Sequence, residues 1–239
     1  MTAIVALAVL AVLLVLLAGP GSRFGVWHFR TGFTLLRWGA MLGAGTAALA
    51  IVALIWTTAT SRAGRGGAVI ALILGAAAFV WPWRLQREAS GYPPIHDITA
   101  DMSDPPRFEA VLPLRAEASN PAEYGGPETA AQQREAYPDI RPLRMARPPA
   151  QAFELALAAA RDMGWEIVAS DEADGRIEAT ATTTWFGFED DVVVRVSPAG
   201  DGSRIDVRSV SRVGRGDVGA NAKRVRAYID RLESLAADA

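Results

Sequence analysis

Asp190 and Asp191 are adjacent carboxylates, and Arg195, Arg208, Arg212 and Arg215 follow them closely in the chain. Carboxylates beside guanidiniums can hold a divalent ion and steady an anion, which is the chemistry of metal-assisted hydrolysis. In that reading Asp190 or Asp191 carries the metal and Arg212 the anion. Neighbouring residues of a strand point to opposite faces, however, so both acids line one pocket only if the strand bulges or begins later.

The second chemistry is binding without turnover. Arg195, Arg208, Ser211, Arg212, Arg215 and Asn221 concentrate polar groups on and around "DVRSVSRVGRGDVGAN", residues 206–221. Gly214, Gly216 and Gly219 permit backbone conformations closed to other residues, and a turn feeding a helix N-terminus can hold an anion. Asp217 at the helix cap would repel one, while Asp190, Asp191 and Asp206 can neutralise the arginines locally. A capped turn with an ion-pair network is therefore the plainer reading. The embedded Arg-Gly-Asp at 215–217 carries no adhesion meaning.

"IHDITADMSDPPRF" offers a third set, His96, Asp97, Asp101 and Asp104, as hard-metal ligands. Its irregular spacing matches no ligand geometry, and Asp before Thr or Pro is ordinary turn chemistry. No catalytic set, metal or cofactor is expected. The chain has no cysteine, which removes disulfides, thiol nucleophiles and thiolate metal sites.

These residues need elements to position them. Phe153, Ala156, Leu157, Ala160 and Met163 recur at helical spacing, and Gly164 ends the run. A first strand starts at Trp165. In the second, Ile177, Ala179, Ala181, Thr183 and Trp185 alternate with Glu178, Thr180, Thr182 and Thr184, the pattern of a sheet with one wet face. Val192, Val194 and Val196 continue the dry side in a third strand, and Ile205 and Val207 in a fourth. Opposing Val196 to Ile205 and Val194 to Val207 sets Arg195 across from Asp206, whereas the slipped register opposes two arginines. Ser211 falls after this strand. A last helix starts near Asp217 and places Val218, Ala222, Val225, Ile229 and Leu232 on one stripe. The fold class is α+β: three transmembrane helices, then a two-layer domain of order helix, four antiparallel strands, helix, with both helices on one sheet face. Phe186 and Phe188 of "WFGFEDD" are expected to pack on the domain's own helix rather than on a membrane or partner.

The first 87 residues read as the anchor. Apolar runs cover 2–18, 39–56 and 67–83, each about the length that a spanning helix needs. Gly39, Gly43 and Ala47 form a small-residue face suited to close helix packing. No acid or His lies inside the runs, which argues against a proton or ion pathway. Seven arginines and no acid precede Glu88, a formal +7; the remainder carries 17 basic and 26 acidic residues, −9. That acidic remainder repels a phosphate backbone and excludes nucleic acid as a partner. The bias of 23 Arg to one Lys fits a GC-rich bacterial genome. Residues 88–150, a proline-rich connecting segment with no sustained period, read as partly extended chain lying on the 151–239 domain. Proline argues against helix there.

At "IHDITAD", "DPPRF", "AYPDI", "GWEIVA", "GRIEATATTTWFGFEDDVVVRV" and "RIDVRSVSRVGRGDVGANAKRVR" the chain resembles the bacterial family catalogued as domain of unknown function 1499. The resemblance spans roughly residues 92–235. It implies no activity, and no catalytic residue carries over. Smaller members look like secreted lipoproteins, which implies a periplasmic domain on the bacterial inner membrane. The arginine count opposes this: Arg23, Arg30, Arg37, Arg84 and Arg87 on the domain's side exceed Arg62 and Arg65 on the other, which points to the cytoplasm. The expected function is a membrane-anchored, non-enzymatic binding or accessory module of the bacterial envelope. Its expected partners are membrane lipid and a protein or small anionic molecule.

Overall fold

The computed structural model of the chain describes residues 1–60 and 63–238. It divides into two compact units, Met1–Gly91 with Thr184–Gly187, and Tyr92–Thr183 with Phe188–Ala239.

The first unit is built on α1 (Thr2–Arg23), α2 (Phe29–Ala59) and α3 (Arg65–Ala89). Each is long and apolar enough to cross a membrane, with mean hydropathies of 2.9, 1.9 and 1.8. Leu13, Ile55 and Ile73 are exposed, while the buried positions are small: Ala8, Ala11, Gly39, Gly43, Ala71 and Gly75. Lipid tails are as apolar as leucine, so close packing rather than hydrophobic burial holds such helices together. The small-residue face of α2 serves two neighbours. A Cβ at Gly39 would come within 2.7 Å of the Val15 side chain of α1, and one at Gly43 would come as close to the Gly75 carbonyl of α3. The helices outrun the apolar runs, and α2 begins at Phe29 because His28 caps it, its Nδ1 accepting from the Arg30 N–H. Arg62 lies outside the described residues.

Residues 184–187 also belong to this unit. Trp185 lies 4.9 Å, centroid to centroid, from Trp81, and Phe186 lies the same distance from Phe33. Phe186 thus packs on transmembrane-type helices rather than on a helix of its own domain. Glycine makes the hollow: a Cβ at Gly32 would sit 2.8 Å from the Phe186 ring.

The second unit carries β1 (Asp97–Thr99), α4 (Gly126–Ala136), β2 (Leu143–Met145), α5 (Pro149–Asp162), β3 (Glu166–Asp171), β4 (Arg176–Thr182), β5 (Glu189–Ala199), β6 (Gly202–Ser211) and α6 (Ala220–Asp238). Among the described residues these strands form one antiparallel sheet of order β1-β6-β5-β4-β3, with β2 also on β6. The expected register holds: Val196 opposes Ile205, Val194 opposes Val207, and Arg195 opposes Asp206. Ile177, Ala179, Val192, Val194, Ile205 and Val207 meet Phe153, Ala156, Val225 and Leu232 of α5 and α6 in the main core. Val218 does not join that stripe; it precedes α6 and is exposed. Ser211 is the last residue of β6, opposite Asp190.

The proline-rich segment is more structured than its pattern suggests. It supplies β1, β2 and α4. Three-residue strands are too short to show a period. Pro127 sits in the first turn of α4, where a missing N–H leaves no helical bond unmade.

The larger difference concerns the second sheet face, expected to be wet. Glu178, Asp191, Asp206 and Arg208 on it are at most 2% exposed. Residues 101–124, including the 3-10 turn Leu112–Arg115, lie over them as a strap. Phe108 and Val111 seat the strap on Val193 and Val210 in a second, small apolar cluster.

Candidate functional site

Charge buried this deeply survives only if it is paired and hydrogen-bonded, and β1, the strap and the neighbouring strands together provide the partners. Arg208 points from β6 into the strap. Its Nε and Nη2 donate to the two carboxylate oxygens of Asp97, at 3.0 and 2.8 Å, and its nitrogens also reach the Pro106 and Ala122 carbonyls. Arg195 binds Asp206 and Asp104, and Arg204 binds Asp206 and Asp101. Asp97, Asp101 and Asp104, three of the four candidate metal ligands, are thus counter-charges for β5 and β6. His96 turns its Nδ1 to the Arg215 carbonyl at 3.4 Å. Among the described residues no group of three or more His, Cys, Asp or Glu could hold a metal ion.

The paired aspartates separate as adjacent strand residues must. Asp191 lies under the strap, where its carboxylate accepts from Arg115 (2.6 Å), Arg212 (2.8 and 2.9 Å) and the Thr180 hydroxyl (2.8 Å). Burial alone would raise this carboxyl, but the bonds from Arg212, Thr180 and Arg115 outweigh it and hold it below its ordinary value. Asp190 lies on the helix face and pairs with Arg224 of α6 at 2.6 Å. The two acids do not share a pocket.

Ser211 and Asn221 meet in a separate buried network. Asn221 Nδ2 donates to Ser211 Oγ at 2.8 Å and to the His96 carbonyl at 3.0 Å, while its Oδ1 accepts from Ser209 Oγ at 2.6 Å and from Arg224. The turn after β6 is capped as its sequence suggests: Asp217 accepts from the Gly219 and Asn221 N–H groups at 2.8 and 2.7 Å. Burial raises the Asp217 carboxyl in spite of those two bonds. Val218 is the one non-glycine residue with positive φ among those described, at 54°, a costly conformation for a β-branched side chain. Arg215 is exposed, and its side chain has no ion-pair partner among the described residues.

The family described as "Protein of unknown function (DUF1499)" matches residues 97–232, more than half of the chain. The chain belongs to this family. The match starts at Asp97, the counter-charge of Arg208, so the DUF1499 region takes in both the strap and the sheet face that it covers. No curated protein matches. Among solved structures the DUF1499 chain has a likeness to TTHA0849 from Thermus thermophilus (12% identity, TM-score 0.27, covering 41% of this chain and 94% of that one). It has a second to Ara h 8.0201 (14%, 0.27, 41% and 96%) and a third to CalU16 from Micromonospora echinospora (17%, 0.23, 40% and 83%). At these TM-scores the likenesses carry no argument.

Two groups central to this DUF1499 face escape sequence reasoning. Glu178, fully buried, accepts from three successive backbone N–H groups, Glu109, Ala110 and Val111, at 3.0 to 3.1 Å. Arg115, from the 3-10 turn, bridges Asp191 to the Val210 and Asn120 carbonyls. One signal could have exposed part of the wiring: Asp97 and Asp101 run forward while Arg208 and Arg204 run backward along β6, the order that an antiparallel neighbour gives. Of the six candidate binding residues, Arg195 and Arg208 are tied into the strap, Arg212 to Asp191 and Glu189 of β5, Ser211 and Asn221 into the network below α6, and Arg215 alone stays open.

Proposed function

We propose that the chain is a membrane-anchored, non-enzymatic binding module of the bacterial envelope, with its α+β domain on the periplasmic side of the inner membrane, and that its turn 213–219 engages an acidic partner protein. One observation carries the reading: Arg215 and Val218 are both exposed on a turn whose backbone is held by the Asp217 cap, with Val218 in a conformation that costs free energy. Strain kept at an exposed position has a use, and a rigid turn presents its side chains without an ordering penalty. Exposed arginine beside an apolar contact is also the composition of interface hot spots. The sheet-face arginines are ion-paired internally, which supports placing the contact at the turn and away from Asp190 and Asp191.

The absence of native cysteine makes the test direct. Val218→Cys gives a single thiol for a membrane-impermeant maleimide in intact cells and for a benzophenone maleimide in native membranes. Labelling from outside and a discrete photo-adduct that Arg215→Glu abolishes, at unchanged thermal stability, are the expected results. An adduct indifferent to Arg215→Glu removes the turn, and labelling only after lysis removes the periplasmic placement.

A further inference from the structure

Among the described residues the second unit exposes three large hydrophobic side chains, and two of them, Leu112 (45% exposed) and Leu114 (53%), stand on one 3-10 turn. A single exposed leucine is ordinary. These two flank an exposed proline, Pro113, on a turn fixed at both ends. Val111 before it is fully buried and donates its N–H to Glu178 at 3.0 Å; Arg115 after it is buried and donates to Asp191 at 2.6 Å and to the Asn120 carbonyl at 3.0 Å. Because Val111 and Arg115 take the inward positions, the leucines are held outward. The backbone also suits an apolar medium, where an unbonded donor is costly. The Leu112 and Leu114 N–H groups donate to the Glu109 and Val111 carbonyls at 3.3 and 2.9 Å, and Pro113 has no N–H to satisfy.

Position says which apolar medium. Strap contacts progress along β5 and β6: Asp104 meets Arg195, Arg115 meets Asp191, and the Asn120 N–H meets the Arg212 carbonyl. The leucine turn thus lies toward the sheet end where β4 joins β5. The places where the chain passes to the helical unit, at 91–92 and on either side of 184–187, belong to the same end. There the Thr183 N–H donates to the Phe188 carbonyl, and the Ser211 and Asp217 N–H groups donate to the His96 and Ile95 carbonyls. Ile95 comes six positions after Ala89, the last residue of α3, at most about 20 Å of chain. A bilayer that takes up α3 is therefore a tethered ligand at high effective concentration. Across 110–119 the exposed charge is Glu117 alone, so attraction to anionic headgroups has no basis in this turn.

We propose that Leu112, Pro113 and Leu114 form an interfacial anchor that enters the boundary between headgroups and acyl chains, independently of lipid charge. The inference rests on the membrane anchorage and not on the turn 213–219. The full chain, free of cysteine, is reconstituted in phosphatidylcholine nanodiscs and spin-labelled at Leu112→Cys or Leu114→Cys. Collisions with oxygen and with nickel ethylenediaminediacetate are then measured by power saturation. Ile55→Cys, on an exposed position of α2, is the lipid reference, and Asp201→Cys, on the β5–β6 turn at the other end of the sheet, the water reference. Both leucine labels should favour oxygen as the Ile55 label does, Leu114→Asp should return the Leu112 label to the Asp201 values, and added phosphatidylglycerol should change nothing. If the leucine labels match Asp201 while Ile55 reads as lipid, the anchor is refuted and the anchorage stands; if Ile55 also reads as water, both fall. Labels shielded from both reagents place the turn against a second copy of the chain, and protection that needs phosphatidylglycerol assigns the contact to charge. Either result overturns the proposal.

Discussion

Glu178 is the residue that most clearly shows how the strap is fastened. Three consecutive backbone N–H groups converge on its carboxylate, with Arg176 Nε at 3.3 Å, an arrangement of oriented amides that favours negative charge. Glu178→Gln keeps the shape but turns an amide NH2 toward donors, leaving buried groups unbonded at a cost of about 1–3 kcal/mol. Amide hydrogen exchange at Glu109, Ala110 and Val111 should speed up by an order of magnitude or more, while that of α5 stays unchanged; equal rates in the two proteins would show that the carboxylate does not hold the strap. At this scale the sequence was half legible. The Arg195–Asp206 pairing followed from alternation and charge, because both residues lie on one hairpin. The Glu178 cradle and the Arg115 bridge join residues 67 or more positions apart, and a local pattern contains no information on such a distance.

At the scale of elements, the strap behaves as a layer held by carboxylates. Burial would raise Asp101, yet the Asp104 and Ser103 N–H groups and the Arg204 and Arg195 charges leave it below its ordinary value, as Arg212, Thr180 and Arg115 do for Asp191. Both therefore ionise below the unfolded-chain value of about 3.9. Their stabilisation is fully present above that value and drains as pH falls through the depressed folded-state values. Asp217 has the opposite sign, because its raised value favours the fold when it is protonated. The urea midpoint of the second unit should fall on acidification from pH 5 to pH 2, and Asp191→Asn, less stable at pH 5, should show a shallower fall. Parallel curves for the two proteins would remove Asp191 from the acid response. Alternation found β4, β5, β6 and their dry face, because a two-residue period survives in strands of seven to eleven residues. It could not distinguish a charged face turned to water from one turned to a strap bearing the opposite charges.

For the molecule as a whole, the sequence divides legibly where hydropathy changes. The apolar runs foretold the three helices, since length and composition alone define such elements. The return of Trp185 and Phe186 to the helical unit was not foretold, because only the hollows at Gly19 and Gly32 reveal it. The close approach of Gly43 to Gly75 makes a specific demand on that unit. Gly43→Val puts a side chain within 2.7 Å of a backbone carbonyl, and overpacking of this kind costs about 1–3 kcal/mol. The melting temperature in detergent should drop, with Gly45→Val, where nothing lies within 4 Å, as the neutral control. Equal losses in both variants would show that helix propensity, not packing, sets the effect.

β1 and the strap precede in the chain the sheet face that the strap covers, Asp97 of β1 lying 111 positions ahead of Arg208 and Arg115 of the strap lying 76 ahead of Asp191. During synthesis the counter-charges are therefore already outside the ribosome when β5 and β6 emerge. Arg195, Arg204 and Arg208 each meet an acid made well before them, Asp104, Asp101 and Asp97, and each pairing closes a long loop. A chain permuted to place β1 and the strap last would make the same contacts, yet Arg208 would spend the interval without Asp97, while Arg195, Arg204 and Arg212 would keep only the acids of their own hairpin.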